Sequence, residues 1–118
     1  MEGLLIMAEE EQKKRAVAKI RRISSVKKDE DLRVAIVGTV VDIDTKSFFF
    51  KLDDGTGKVS VLLNNESQLK DLKLGRIVRA IGLIMGFEND FEIRGEIIQD
   101  FTGLNVDYYN KYLELSKA

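Results

Sequence analysis

Two β-rich runs of thirteen residues, 32–44 and 75–87, each carry a glycine in the interior, Gly38 and Gly82. Such runs are about twice the usual strand length, and an internal glycine in a strand marks a bend or bulge. Two shorter runs, 47–53 and 58–64, lie between them and are joined by Asp54-Gly55-Thr56-Gly57, a strong Asp-Gly turn signal. A fifth run, 91–99, follows the turn Glu88-Asn89-Asp90. Long bent strands alternating with short ones favour a small closed barrel over a flat sheet. Closure also removes the edges that invite aggregation.

Helical spacing occurs in two places. Leu69 and Leu72, behind Asn64 or Asn65 as cap, predict a short helix within 65–73, between the third and fourth strands. Residues 104–117 return to helical spacing at the end of the chain. The run Ala16–Ile23 suits an edge strand or a helix, and the Ser24-Ser25 stop after so short a run favours strand. The expected division is a charged tail over 1–15, a barrel over 16–103 and a terminal helix over 104–118.

Composition removes most chemistry. The chain has no Cys and no His, so it has no disulfide framework, thiolate metal site, Cys nucleophile or imidazole base. Its 19 basic and 20 acidic residues nearly cancel. Residues 9–33 are net +3, 34–84 are +1 and 85–118 are −4. A duplex-coating protein is usually strongly basic, so nucleic-acid contact here must be local. The apolar stretch Leu4–Met7 is too short for a signal peptide, and no run approaches the roughly 20 residues of a membrane span. A cytosolic chain without membrane contact is expected.

The strand order is that of the five-stranded oligonucleotide/oligosaccharide-binding (OB) barrel. The stretch Val34-Ala-Ile-Val-Gly-Thr-Val-Val-Asp-Ile43, followed by Phe50-Lys-Leu-Asp-Asp-Gly-Thr-Gly-Lys-Val59, resembles the OB domains of the replication protein A family. The tail Phe101–Leu115 resembles the terminal helix of that family's small, archaeal-like subunit. The resemblance spans roughly residues 16–117. It implies an all-β barrel with a short helix between strands 3 and 4 and a C-terminal helix. It also implies a heterotrimeric single-stranded DNA-binding complex, nucleoid-associated, acting in replication, repair and recombination. In such a complex this chain is mainly a scaffold for two larger OB-fold subunits, with weak or no DNA binding alone and no cofactor.

The terminal helix supports that reading by angle. At about 100° per residue, Val106, Tyr109 and Leu113 share one flank, and Leu104, Tyr108, Tyr112 and Leu115 share the adjoining one. Asp107, Asn110, Lys111 and Glu114 occupy the remaining polar arc. The apolar arc is about twice what one barrel surface needs. A helix that merely caps its own barrel would leave tyrosines in water. The two aromatic-rich flanks favour instead one flank on the barrel and the other on partner helices.

On the second strand, Phe48, Phe50 and Leu52 alternate with Phe49, Lys51 and Asp53. The more apolar set, ending in Leu52, is expected inside, leaving Phe49 and Lys51 outside beside Lys58 and Ser60. Cations that track phosphates and rings that stack on bases make a single-strand site. Lys46, Phe49, Lys51, Lys58, Phe87 and Arg94 are the candidates. Phe87 and Phe91 flanking a turn also fit a cross-strand core pair. Asp42, Asp44, Asp53 and Asp54 resemble a cation or nuclease site only superficially. Turn geometry explains the last two better, and no metal or catalysis is expected. The competing function is a stand-alone OB module that binds single-stranded DNA or RNA directly.

Overall fold

A computed structural model describes residues 17–103 and 105–116. Its strands are β1 (Lys19–Ile20), β2 (Arg33–Asp44), β3 (Phe49–Asp53), β4 (Lys58–Leu62), β5 (Ile77–Phe87) and β6 (Asp90–Asp100), followed by helix α1 (Val106–Ser116). They pair in the order β1-β2-β3-β4-β6-β5, and β2–β5 pairing closes the ring. The result is a five-stranded OB barrel with β1 added in parallel to β2. No described helix is long and apolar enough to cross a membrane.

The glycines sit where the barrel demands them. Strand β2 pairs with β5 over Arg33–Thr39 and with β3 over Thr39–Asp44, so it must bend between the two partners. Gly38 lies at that handover, and a Cβ there would stand 3.0 Å from the Asp53 carbonyl oxygen. At Gly82 a Cβ would lie 2.1 Å from the Arg94 carbonyl oxygen. A bulge interrupts the β5–β6 register at the same place, and another interrupts β2–β3 between Val40 and Asp42.

Alternation fills the interior. Val34, Ile36, Phe50, Leu52, Val61, Ala80 and Ile93 are fully buried. Each large side chain contributes about 1.5–3 kcal/mol through its removal from water. Phe50 and Leu52 point inward as the pattern required, and Phe49 and Lys51 point outward. Leu69 joins the core and Leu72 packs against it.

Three local expectations need correction. The segment 65–73 is not an α-helix but a 3₁₀ turn, Glu66–Gln68, capped by the Asn65 side chain, which accepts the Gln68 amide at 3.2 Å. Two leucines are enough to plug that part of the barrel, so a longer helix is not required. Of the expected run 16–23, the described residues 17–23 form a strand only at Lys19–Ile20. The chain then turns so that Ile23, in a second 3₁₀ turn, enters the core. Third, Ser47 and Phe48 belong to a turn rather than to β3. The tail 1–15 and Leu104 lie outside the described residues.

The segment 17–31 acts as a strap. The Ile23 amide donates to the Asp54 carboxylate at 2.7 Å, and the Ser24 amide donates to the Thr56 hydroxyl at 3.1 Å. Asp31, 3% exposed, locks its other end by accepting from the Lys27 amide at 3.0 Å and Arg21 Nε at 3.2 Å. Burial pushes the Asp31 carboxyl up, but these donors together outweigh it and hold it below the usual carboxylate range.

Candidate nucleic-acid face and helix surface

The parallel β4–β6 pairing assembles the candidate face. Its register continues that of β2–β3–β4, so Asp44, Phe49, Leu62 and Arg94 form one row across four strands. Asp42, Lys51 and Ser60 form the next row, and Asp53 and Lys58 pair beyond it. Lys51, Lys58 and Arg94 are exposed and Phe49 is half-exposed. Lys46 lies at the end of this face, in a turn whose amides at Lys46 and Ser47 donate to Asp44 Oδ1 at 2.9 and 3.0 Å. The backbone of Phe87 pairs with Asp90 at the β5–β6 turn, at the opposite end of the face. Its side chain is outside the described part, while Phe91 packs against the core.

Phe48 holds the first of these turns in an unusual conformation. Its φ of 55° is rare for a bulky residue. Packing against the core and the bond from the Leu63 amide to its carbonyl, 2.7 Å, oppose that cost. Asp53 and Asp54 serve the other turn: they accept the Gly55 and Thr56 amides at 2.8 and 2.9 Å. These bonds brace the turn, as turn chemistry predicts.

Charge on the face is mixed. Lys51 opposes Asp42 and Lys58 opposes Asp53 across the strands, and Asp90 and Glu92 stand at the β6 side. Sequence reading picked the cations but missed Leu62, Asp90 and Glu92. Only the parallel pairing brings β6 beside β4, and no local pattern announces it.

Helix α1 lies on another side of the barrel. Asn105 caps it by accepting the Tyr108 amide at 3.1 Å. Leu113 is buried and Tyr109 half-buried, and burial raises the Tyr109 hydroxyl above its ordinary pKa. Val37, on the outer side of β2, is buried apart from the main core. A cleft of about 440 Å³ runs between Tyr109 and the barrel residues Val37, Thr39, Val41 and Ile77. Arg22 of the strap ties the helix down: its Nη2 donates to the Asn110 carbonyl at 2.7 Å and lies 3.6 Å from the Glu114 carboxylate. The adjoining flank is in water, with Tyr108 72%, Tyr112 59% and Leu115 78% exposed. Nothing is described of Leu104 or of the Val106 side chain.

Residues 34–101, more than half the chain, match the family model of the OB-fold nucleic acid binding domain. The chain belongs to that family. No curated protein matches this OB-fold domain in sequence. Among solved structures, the telomere capping protein Ten1 from S. pombe superposes with a TM-score of 0.63 at 16% identity, over 86% of this chain and 98% of that one. A chain of the S. pombe Stn1–Ten1 complex gives 0.53 at 17% identity, over 73% and 76%. A chain of a replication protein A heterotrimer bound to single-stranded DNA gives 0.58 at 16% identity, over 77% and 79%. At these identities the likeness of the OB-fold domain to them is one of fold.

Proposed function

We propose that this OB-fold domain is a small, non-catalytic scaffold subunit of a replication protein A-like single-stranded DNA-binding heterotrimer, joined through α1 to two larger OB-fold subunits. One observation carries the reading: α1 settles one flank on its own barrel and leaves Tyr108, Tyr112 and Leu115 exposed on the other. Large aromatic and aliphatic side chains aligned along one helix face are what a partner helix buries. The cleft beside Tyr109 offers such a partner a further recess. Two of the structural neighbours come from complexes, Stn1–Ten1 and the replication protein A heterotrimer, which supports the same reading. The mixed charge of the β3–β4–β6 face fits weak DNA contact by this subunit alone.

The test is a tagged chain recovered from its native cells after nuclease treatment, sized by light scattering with its partners identified. Two larger OB-containing chains are expected with the native sequence. With Tyr108→Glu and Tyr112→Glu combined they should be lost, leaving a folded monomer. Recovery of the native chain alone would sink the scaffold reading and favour the stand-alone module.

A further inference from the structure

Lys51, Lys58, Ser60, Asp90, Phe91 and Glu92 border a shallow depression of about 240 Å³ on the candidate face. That is below the roughly 300–1,000 Å³ of ordinary small-molecule pockets, so it suits one planar base rather than a whole nucleotide. Elsewhere in the chain, opposite charges that face each other close up, as Arg33 and Glu96 do at 2.7 Å. Here ammonium and carboxylate groups border one recess, yet among the described residues no pair comes within 4.0 Å. Asp90 uses one oxygen on the Phe91 amide at 2.8 Å. The Glu92 backbone belongs to the β5–β6 ladder, but its carboxylate makes no hydrogen bond or ion pair among the described residues, so both carboxylate oxygens are open as acceptors.

We propose that this depression reads guanine in a single strand, Glu92 accepting from the base while Lys51 and Lys58 hold the flanking phosphates. The inference rests on the family's nucleic-acid-binding character and names what the face selects. An ionised carboxylate accepts and cannot donate, and its two oxygens match two adjacent donors. Guanine presents two such donors, N1–H and the N2 amino group, on an edge that is free in a single strand. Thymine and uracil present one N–H between two carbonyl oxygens, which the carboxylate repels. Adenine and cytosine present an amino group beside a ring lone pair, which leaves one carboxylate oxygen unmatched. The carboxylates also keep phosphate out of the recess, so the base enters and the backbone stays with the lysines. Phe49, half-exposed in the neighbouring row, offers a ring for the next base.

The experiment is a low-salt anisotropy titration of the full chain with labelled thymine-rich tetranucleotides bearing one central guanine, inosine or thymine. Guanine should bind about tenfold tighter than thymine, within the discrimination of one bidentate base contact. Inosine keeps N1–H but lacks the amino group and should fall between them. Glu92→Gln should bring the guanine-to-thymine ratio to about one, because an amide carries one acceptor where two are needed. Equal binding of guanine and thymine by the native chain, or a preference that survives Glu92→Gln, overturns the proposal. If no tetranucleotide binds, the nucleic-acid role of the whole face falls with it.

Discussion

The β3–β4–β6 face and the α1 side are built from opposite materials. On the first, Lys51, Lys58 and Arg94 stand among Asp42, Asp53, Asp90 and Glu92, and four of these, Lys51, Lys58, Asp90 and Glu92, border a shallow recess. On the second, Tyr108, Tyr112 and Leu115 stand in water beside a larger cleft. Exposed charge of both signs gains little net affinity for a polyanion, because attraction and repulsion offset and salt screens both. Exposed aromatic surface has no such offset: burying it releases water whatever the partner's charge. The difference shows how one fold can separate two kinds of surface. In the proposed reading the helix side supplies association and the charged face discrimination among weakly held ligands.

The hardest test of that separation strikes what both sides share. Gly82→Ala places a methyl 2.1 Å from the Arg94 carbonyl oxygen, a backbone atom that no rotamer change can move. The expected loss is about 3 kcal/mol or more, at the upper end of overpacking, read by denaturant unfolding. Arg94 belongs to the charged face, so strand displacement there should disturb that face before α1. Loss of assembly with an intact charged face would break the comparison.

A smaller effect tests the strap that carries Arg22. The carboxyl of Asp31 is held below its ordinary value of about 3.8, so its stabilisation is present above that pH and is lost as pH falls through the folded value. Asp31→Asn should cost about 2 kcal/mol at neutral pH, from the charged hydrogen bonds to Arg21 and Lys27, and should flatten the acid limb below about pH 4. In the native chain, amide exchange in α1 should rise on acidification before exchange in β3 and β4. Simultaneous loosening of both would show that the strap serves the whole barrel rather than the helix side.

The smallest effect sharpens the contrast on the charged face alone. Lys51→Gln with Lys58→Gln removes two exposed cations without setting like charges opposite Asp42 and Asp53, so folding stability should change by under about 0.5 kcal/mol. The salt dependence of single-strand binding should weaken by about 1.4 in log–log slope, at roughly 0.7 per phosphate contact. Assembly size should stay the same. A fall in assembly would mean that the two faces are not separate.

Much of the barrel was readable because its determinants are local. Gly38 and Gly82 announce bends within their own strands, the Phe50–Leu52 alternation selects the inner side of β3, and Asp54-Gly55 marks its turn. The helix flanks were readable for the same reason, since a period of 3.6 residues places Tyr109 and Leu113 on a flank adjoining the exposed set without reference to any strand. The short helix expected within 65–73 is only a 3₁₀ turn at 66–68, because two leucines at helical spacing fit either form and only the space left by the barrel decides.

What tertiary structure alone decided is everything that depends on pairings distant in sequence. Arg94 comes beside Leu62, and Asp90 and Glu92 border one recess with Lys58, because β6 runs parallel to β4, a choice invisible in either strand's own pattern. The Asp54 carboxylate holds Ile23 from 31 residues away, and Arg22 reaches Asn110 across 88. Local alternation and turn chemistry therefore determined which elements form and which side of each is apolar. Closure of the barrel determined which polar groups meet, because only ring closure sets the register between strands that the chain does not connect directly.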